Sequence, residues 1–180
     1  MPGDEPRAPS SVWAHDDRVV TPKARDHRAG VGGGLTALPR GAVAGLIGAA
    51  AMSVSTNLEM RLRNRPPSYA PAKALGRMLG IDANSDQSRK LLGLLGHVAT
   101  AVSLGTVRGL LDRAGLGPGS GGFALFVLAM APEVIAVPAL GAADPPWRWS
   151  RTEVALSVLH HAVFAAGTTG TYERLRARAQ

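Results

Sequence analysis

The chain has 180 residues, a formal net charge of +7 and no cysteine, and 46% of its residues are hydrophobic although only 4% are aromatic. This length suits a single domain, and the lack of cysteine excludes disulfides and thiolate metal sites. Polar residues concentrate in residues 1–40 and 61–90, which leaves long apolar stretches elsewhere. The positive charges lie in short clusters between those stretches, as membrane flanks do, so we expect no nucleic-acid partner.

Residues 1–40 carry charges of both signs, several prolines and three consecutive glycines at 32–34. They show no amphipathic period, so we predict a disordered cytoplasmic tail. A signal peptide is not expected, because the first apolar run begins near Gly41 and no small-residue cleavage pattern follows it.

Four later stretches have the length of ~20 residues with which a helix crosses the ~30 Å hydrocarbon core of a bilayer. They cover about residues 41–60, 91–111, 121–140 and 154–172. Small residues are frequent in them, and Gly41 and Gly45 form a GxxxG pair that permits close helix contact. The sequence therefore predicts an all-α fold, a four-span transmembrane helical bundle formed by residues 41–180 in a lipid bilayer.

The loops between the predicted spans contain residues that are typical of the membrane–water interface. The loop 61–90 begins with three arginines and then Pro66 and Pro67, which end the first helix. A short amphipathic helix lying at the interface is predicted from the spacing of Ala74, Leu75, Met78 and Leu79. Trp147 and Trp149 lie near arginines, a pairing typical of the aromatic belt at a membrane surface.

The third span contains a single charged residue, Glu133, between Pro132 and Pro138. Both prolines remove backbone donors, so we expect a kink beside Glu133. A carboxylate in a span is costly in lipid and is expected to face protein or water. In the second span Arg108 lies in the last turn, from which we expect it to snorkel outward.

Polar residues of different spans share one depth. Counted from the span ends, His97, Glu133 and His161 lie six or seven residues in from the same side, roughly 10 Å below that surface. Glu59 lies above them, near the rim. His161 is the inward candidate of the fourth span, whereas His160, among apolar neighbours, is expected against a neighbouring helix or partly toward lipid. We predict one polar cluster of these four residues: His97, Glu133, His161 and Glu59.

Three interpretations of this cluster remain open. In the favoured one, the side chains satisfy one another and hold the helices together, because an unpaired buried carboxylate costs several kcal/mol. In the second, the cluster relays protons or binds a small polar ligand. The third, a divalent metal, is disfavoured because no helical HxxxH or ExxH pair supplies ligands. We therefore predict no metal, no cofactor and no catalytic residues; the chain also lacks HExxH and a phosphate-binding glycine loop.

Short motifs give the chain a resemblance to the YagU-like inner-membrane proteins. The matching residues are Gly96, His97 and Val98, then Pro138 to Gly141 with Pro145, Pro146 and Trp147, and finally His161. Glu59 followed by Pro66 and Pro67 also fits this pattern. One departure is Glu133, where the family pattern leads us to expect a histidine. The resemblance covers residues 41–172, implies a multi-pass membrane protein without an established reaction, and favours His161 over His160.

These observations predict a multi-pass integral membrane protein without enzymatic activity, with a role in envelope or pH homeostasis. The alternative is a small transporter or channel for protons or a small polar solute, formed as a homo-oligomer because four thin helices enclose little space. We expect the inner membrane, with both termini cytoplasmic. Nine basic residues flank the spans on each side, and the tie is broken by a charged tail that is hard to export without a signal peptide.

Overall fold

The computed structural model describes residues 29–179, with side chains from residue 36 onward. This part of the chain is helical and contains no strand, so the predicted all-α fold is confirmed. The elements in order are α1 (Ala29–Leu62), α2 (Ala70–Leu79), α3 (Asp86–Arg113), α4 (Pro118–Ala131), a π-helical segment (Pro132–Ala136), α5 (Val137–Ala139), a 3-10 turn (Pro146–Arg148) and α6 (Arg151–Ala177). The disorder predicted for residues 1–28 lies outside the described residues.

Helix α1 begins earlier than the sequence suggested. Residues 29–40, which we predicted as tail, are helical in the structure, and Pro39 lies inside the helix. The reason is tertiary packing: Ala37 is buried, and a methyl group added to Gly109 of α3 would lie only 2.6 Å from the carbonyl oxygen of Ala37. This contact extends the ordered helix beyond what local propensity indicates.

The contact between α1 and α3 is built from residues without large side chains. A methyl group on Gly105 would lie 2.7 Å from the Cα of Gly45, and one on Gly45 would lie 2.9 Å from the carbonyl carbon of Ala101. Together with the contact between Ala37 and Gly109, this pairing makes the two helices antiparallel. The GxxxG signal is thus used inside one chain, where it brings two backbones into direct contact.

The contact between α1 and α6 follows the same principle. A methyl group on Gly48 would lie 2.7 Å from the carbonyl oxygen of Phe164, and one on Gly167 would lie 3.3 Å from the Cα of Gly48. Nearer the C-terminal end of α1, the hydroxyl of Ser55 is hydrogen-bonded to Nδ1 of His160 on α6. These two levels of contact make α6 antiparallel to α1, so α1 lies between α3 and α6.

An apolar core fills the middle of the bundle. It contains buried side chains from four helices, α1, α3, α4 and α6: Ala49, Ala101, Leu125, Ala129, Phe164 and Ala165. Leu125 is fully buried, and Met52, Leu104 and Phe126 pack around this group. The core therefore separates the two ends of the bundle with close-packed apolar atoms.

The predicted short helix in the loop 61–90 is present as α2. Its buried face consists of Ala72, Ala74 and Gly76, and Gly76 lies in contact range of Leu92 on α3. Arg77 donates a hydrogen bond to the carbonyl oxygen of Leu140, so α2 bridges α3 and the end of the third predicted span.

Three helical stretches of the described chain are long and apolar enough to cross a membrane, Thr36–Leu62, Asp86–Arg113 and Pro118–Ala139. They match the first three predicted spans, but the four-span prediction is not confirmed. Helix α6 has 27 residues and so is long enough, but its buried positions include polar side chains such as Ser157, His160, Thr168 and Thr169. Helix α6 is not among the three stretches that are apolar enough for a membrane span.

Helix α6 begins with a capping box. The hydroxyl of Ser150 accepts a hydrogen bond from the backbone N–H of Glu153, and the Glu153 carboxylate accepts one from the backbone N–H of Ser150. Hydrogen bonding by the side chain and the backbone of Ser150 lowers the pKa of the Glu153 carboxyl group. The start of α6, and so the position of its histidines, is fixed by this local arrangement.

The irregularity predicted beside Glu133 takes the form of a π-helical turn. Pro132 and Pro138 have no backbone donor, and the N–H of Val137 bonds to the carbonyl oxygen of Pro132, five residues earlier. Widened turns of this kind occur frequently at functional sites. The sequence placed the break correctly, and its form is a π turn between α4 and α5.

The glycine contacts generate a stability prediction. Gly45→Val should lower the free energy of unfolding by about 1–3 kcal/mol, because its branched side chain would overlap the backbone of α3. Gly170→Val is the matched control, since nothing lies within 4 Å of a methyl group added there. Thermal melting in detergent would compare them; equal melting temperatures for the two variants would contradict the proposed importance of the α1–α3 contact.

Candidate functional site

Polar side chains gather at the two ends of the bundle, on either side of the apolar core. We name the first group the histidine cluster; it joins α1, the π turn and α6 and contains Ser55, Glu59, Glu133, Ser157, His160 and His161. We name the second the arginine cluster; it joins α3 and α6 and contains Arg108, Asp112, Tyr172, Glu173 and Arg176.

Glu133 and His161, which the sequence placed at one depth, are in contact. Nδ1 of His161 lies 3.5 Å from Oε2 of Glu133. The hydroxyl of Ser157 donates a hydrogen bond of 2.5 Å to the same carboxylate oxygen. The Glu133 side chain is 40% exposed and that of His161 is 12% exposed, so the pair lies at the edge of the packed interior.

The geometry around His161 identifies the nitrogen that carries its proton. Nδ1 lies 2.9 Å from the carbonyl oxygen of Ser157, and a carbonyl oxygen can only accept. Nδ1 therefore donates, and in the neutral ring Nε2 is the nitrogen that can take up a second proton. Protonation would place a cation next to the carboxylate of Glu133.

His160 is buried against α1, one of the two surroundings that we considered for it. It is 7% exposed, and its Nδ1 lies 2.9 Å from the hydroxyl oxygen of Ser55. We expected His161 to be the inward residue of the two histidines, but His160 is the buried one and His161 is half-buried. Helix α6 packs between α1 and α4, so two of its faces are covered by neighbouring helices.

Glu59 lies at the C-terminal end of α1 and is 7% exposed. Its Oε1 is 3.1 Å from Arg63 and 3.7 Å from Arg65. Asn64, at a φ of 51°, adopts the left-handed conformation and turns the chain back after the helix. This turn brings Arg65 to Glu59, so that the carboxylate is held by two arginines that are themselves partly exposed.

His97 lies apart from the other three predicted residues. Its side chain is exposed, and its Nε2 lies 3.3 Å from the hydroxyl oxygen of Ser53. Within the part of the chain that the structure describes, no hydrogen bond or ion pair links His97 to Glu133 or His161. The predicted cluster thus comes together in part, with His160 present and His97 outside, and its functional meaning stays a prediction.

Metal binding receives no support from the geometry. Among residues 29–179, no three His, Asp or Glu side chains lie close enough to hold a metal ion. The carboxylate and imidazole of the histidine cluster instead face hydroxyl and carbonyl groups. What this arrangement can do chemically is to bind and release protons.

The arginine cluster corrects our expectation for Arg108. This residue does not snorkel outward: its side chain is 0% exposed and is paired with Glu173. Its guanidinium lies 4.9 Å from the ring centroid of Tyr172, within cation–π range. On the other side, a methyl group on Gly121 would lie 3.2 Å from the guanidinium carbon, so a larger residue there would crowd Arg108.

The carboxylate of Asp112 also belongs to the arginine cluster. The hydroxyl of Tyr172 donates a hydrogen bond of 3.1 Å to Asp112, and Arg176 lies 2.8 Å from the same carboxylate. Arg176 also lies 3.6 Å from Glu173. Our sequence reasoning missed this cluster; the signal that could have found it is the pair of oppositely charged residues at the ends of α3 and α6.

No family model, curated protein or solved structure matches this chain. The resemblance to the YagU-like proteins accordingly stays a prediction that rests on short motifs. A function for the chain has to be argued from its residues and their geometry.

The buried charge pair gives a second stability prediction. Glu173→Leu should cost about 3–5 kcal/mol of stability, because it leaves Arg108 buried without a carboxylate. Arg108→Leu should cost less, since Glu173 keeps Arg176 as a neighbour.

The matched control is Asp144→Leu, which removes the partner of the exposed Arg148 and should cost no more than about 1 kcal/mol. Chemical or thermal unfolding in detergent would measure all three variants. If Glu173→Leu unfolds like Asp144→Leu, Arg108 is solvated and the buried ion pair does not exist.

Proposed function

We propose that the chain is a multi-pass membrane protein without enzymatic activity whose histidine cluster binds and releases protons, in support of pH homeostasis. The observation that carries the proposal is the contact of His161 with Glu133 and Ser157 beside the π turn. Intramembrane ionisable groups are costly in lipid and usually serve a function. Histidine is the side chain whose charge changes near neutral pH.

Proton uptake at this site has a defined structural consequence. The neutral ring of His161 donates from Nδ1 to Ser157 and is only weakly attracted to Glu133. A proton added at Nε2 gives the ring a positive charge at 3.5 Å from the carboxylate, and opposite charges attract at this distance, less strongly where solvent reaches them. Uptake thus strengthens the link between α6 and the π turn, and release weakens it.

A fourth span formed by α6 is part of this proposal. The helix is antiparallel to α1, from the contact of Gly48 with Phe164 to that of Ser55 with His160. Its polar side chains face other helices, and its 27 residues are enough to cross a bilayer. A helix can span with polar residues when they are covered by protein.

In this proposal the protein lies in the inner membrane, with its N-terminus and its C-terminus on the cytoplasmic side. Two contacts support the common side: Ala37 near the start of α1 packs on Gly109, and Glu173 near the end of α6 pairs with Arg108. Both partners belong to the last turns of α3, so the start of α1 and the end of α6 lie at the same side of the bundle.

A small oligomeric transporter or channel is the second candidate. The buried polar groups at both ends of α6 favour it, because a proton path could use them. The apolar core around Leu125 and Phe164 stands between these groups, however, so one copy in this conformation offers no continuous polar path. We therefore rank proton binding at one side above transport.

Membrane integration is tested by alkaline carbonate extraction of membranes. We expect the protein to remain in the pellet, because three of its helices have the length and hydropathy of spans. A peripheral protein in the same membranes serves as the control. Release of the chain together with that control would overturn the membrane placement and with it the proposed function.

Proton binding is tested by titrating the histidines with ¹⁵N NMR on the protein in lipid nanodiscs. We expect the ring signals of His161 to respond to pH, and Glu133→Gln to change the midpoint of that response, because an amide cannot pair with an imidazolium. Asp144→Asn, an exposed carboxylate on a neighbouring loop, should leave the midpoint unchanged. An identical midpoint in wild type and Glu133→Gln would contradict the role of this pair.

A further inference from the structure

Two buried polar atoms of the histidine cluster have no hydrogen-bond partner in the described part of the chain. They are Oε2 of Glu59 and Nε2 of His160. Each of the two residues is 7% exposed. A buried polar group without a partner is costly, and most such groups in proteins are satisfied by protein or by an ordered water molecule.

The two side chains converge because their helices are antiparallel. A helical side chain leans toward the N-terminus of its own helix. Glu59 therefore leans back along α1 toward Ser55, one turn earlier, and His160 leans along α6 in the opposite direction, toward the level of Glu59. Ser55 holds Nδ1 of the ring at 2.9 Å, and Nε2 is the atom of the ring that extends further.

Charge and hydrogen bonding fit a bridge between them. Among the charged groups around His160, Glu59 has the largest electrostatic effect on its ring, followed by His161, Arg65 and Glu133. If the hydroxyl of Ser55 donates to Nδ1, Nε2 carries the proton and is a donor, whereas the free oxygen of Glu59 is an acceptor. The two atoms do not bond directly, so a small polar molecule can join them.

Glu59 also connects this pair to the protein surface. Its second oxygen, Oε1, contacts Arg63 and Arg65, whose side chains are 44% and 40% exposed. The series of groups therefore runs from a partly exposed arginine pair to a buried carboxylate, on the side of α1 that faces His160.

We propose that one internal water molecule bridges Glu59 and His160, accepting a hydrogen bond from Nε2–H of His160 and donating one to Oε2 of Glu59. This water site goes beyond the proposed function and does not rest on it.

The test uses the full chain with ¹⁵N-labelled histidine in lipid nanodiscs. Water-edited spectra should show transfer of magnetisation from water to Nε2 of His160, and Glu59→Leu should abolish it. Asp144→Asn, the exposed control carboxylate, should have no effect on this signal.

Ser55→Ala is a second variant, which keeps Glu59 but releases the ring of His160, and it should weaken the water signal. Absence of that signal at His160 in the wild type overturns the bridge. A wild-type signal in folded Glu59→Leu places the water elsewhere and overturns the bridge as well.

Discussion

The close approach of α1 to both α3 and α6 is the contact on which the rest of the structure depends. Gly45 allows the backbone of α3 to touch α1, and Gly48 does the same for α6. In a bilayer, where apolar burial gives little driving force between helices, such contacts supply packing that large side chains would prevent. The same approach brings Ser55 within 2.9 Å of His160, so the backbone contact also positions the polar groups.

The bundle separates its charged groups into two ends, and this separation shapes its chemistry. The arginine cluster at one end is an ion-pair network around a fully buried guanidinium, which suits a structural role. The histidine cluster at the other end contains two imidazoles and two carboxylates and is partly open at Glu133. Between them Leu125 and Phe164 belong to an apolar core. Proton exchange is therefore expected from one side.

Much of this architecture could be predicted from the sequence, because span length and small-residue spacing are local properties. Three apolar helices, the short helix after the first of them and the irregular turn beside Glu133 all follow from patterns of neighbouring residues. Glu133 and His161, which lie at one predicted depth, are also in contact. His97 is not in contact with them, because equal depth does not specify the direction in which a side chain points. Arg108 was misplaced for a related reason: its partner, Glu173, is distant in sequence.

The absence of cysteine from the chain allows the separation of the two ends to be measured directly. Single cysteines at residues 133, 161 and 165 would be exposed to a membrane-impermeant maleimide, added in turn to each side of sealed vesicles. If the apolar core is dry, residue 133 reacts from one side only, residue 161 reacts more slowly from that same side, and residue 165 reacts from neither. Reaction of residue 165, or of residue 133 from both sides, would reveal an aqueous path through the bundle and contradict a one-sided proton site.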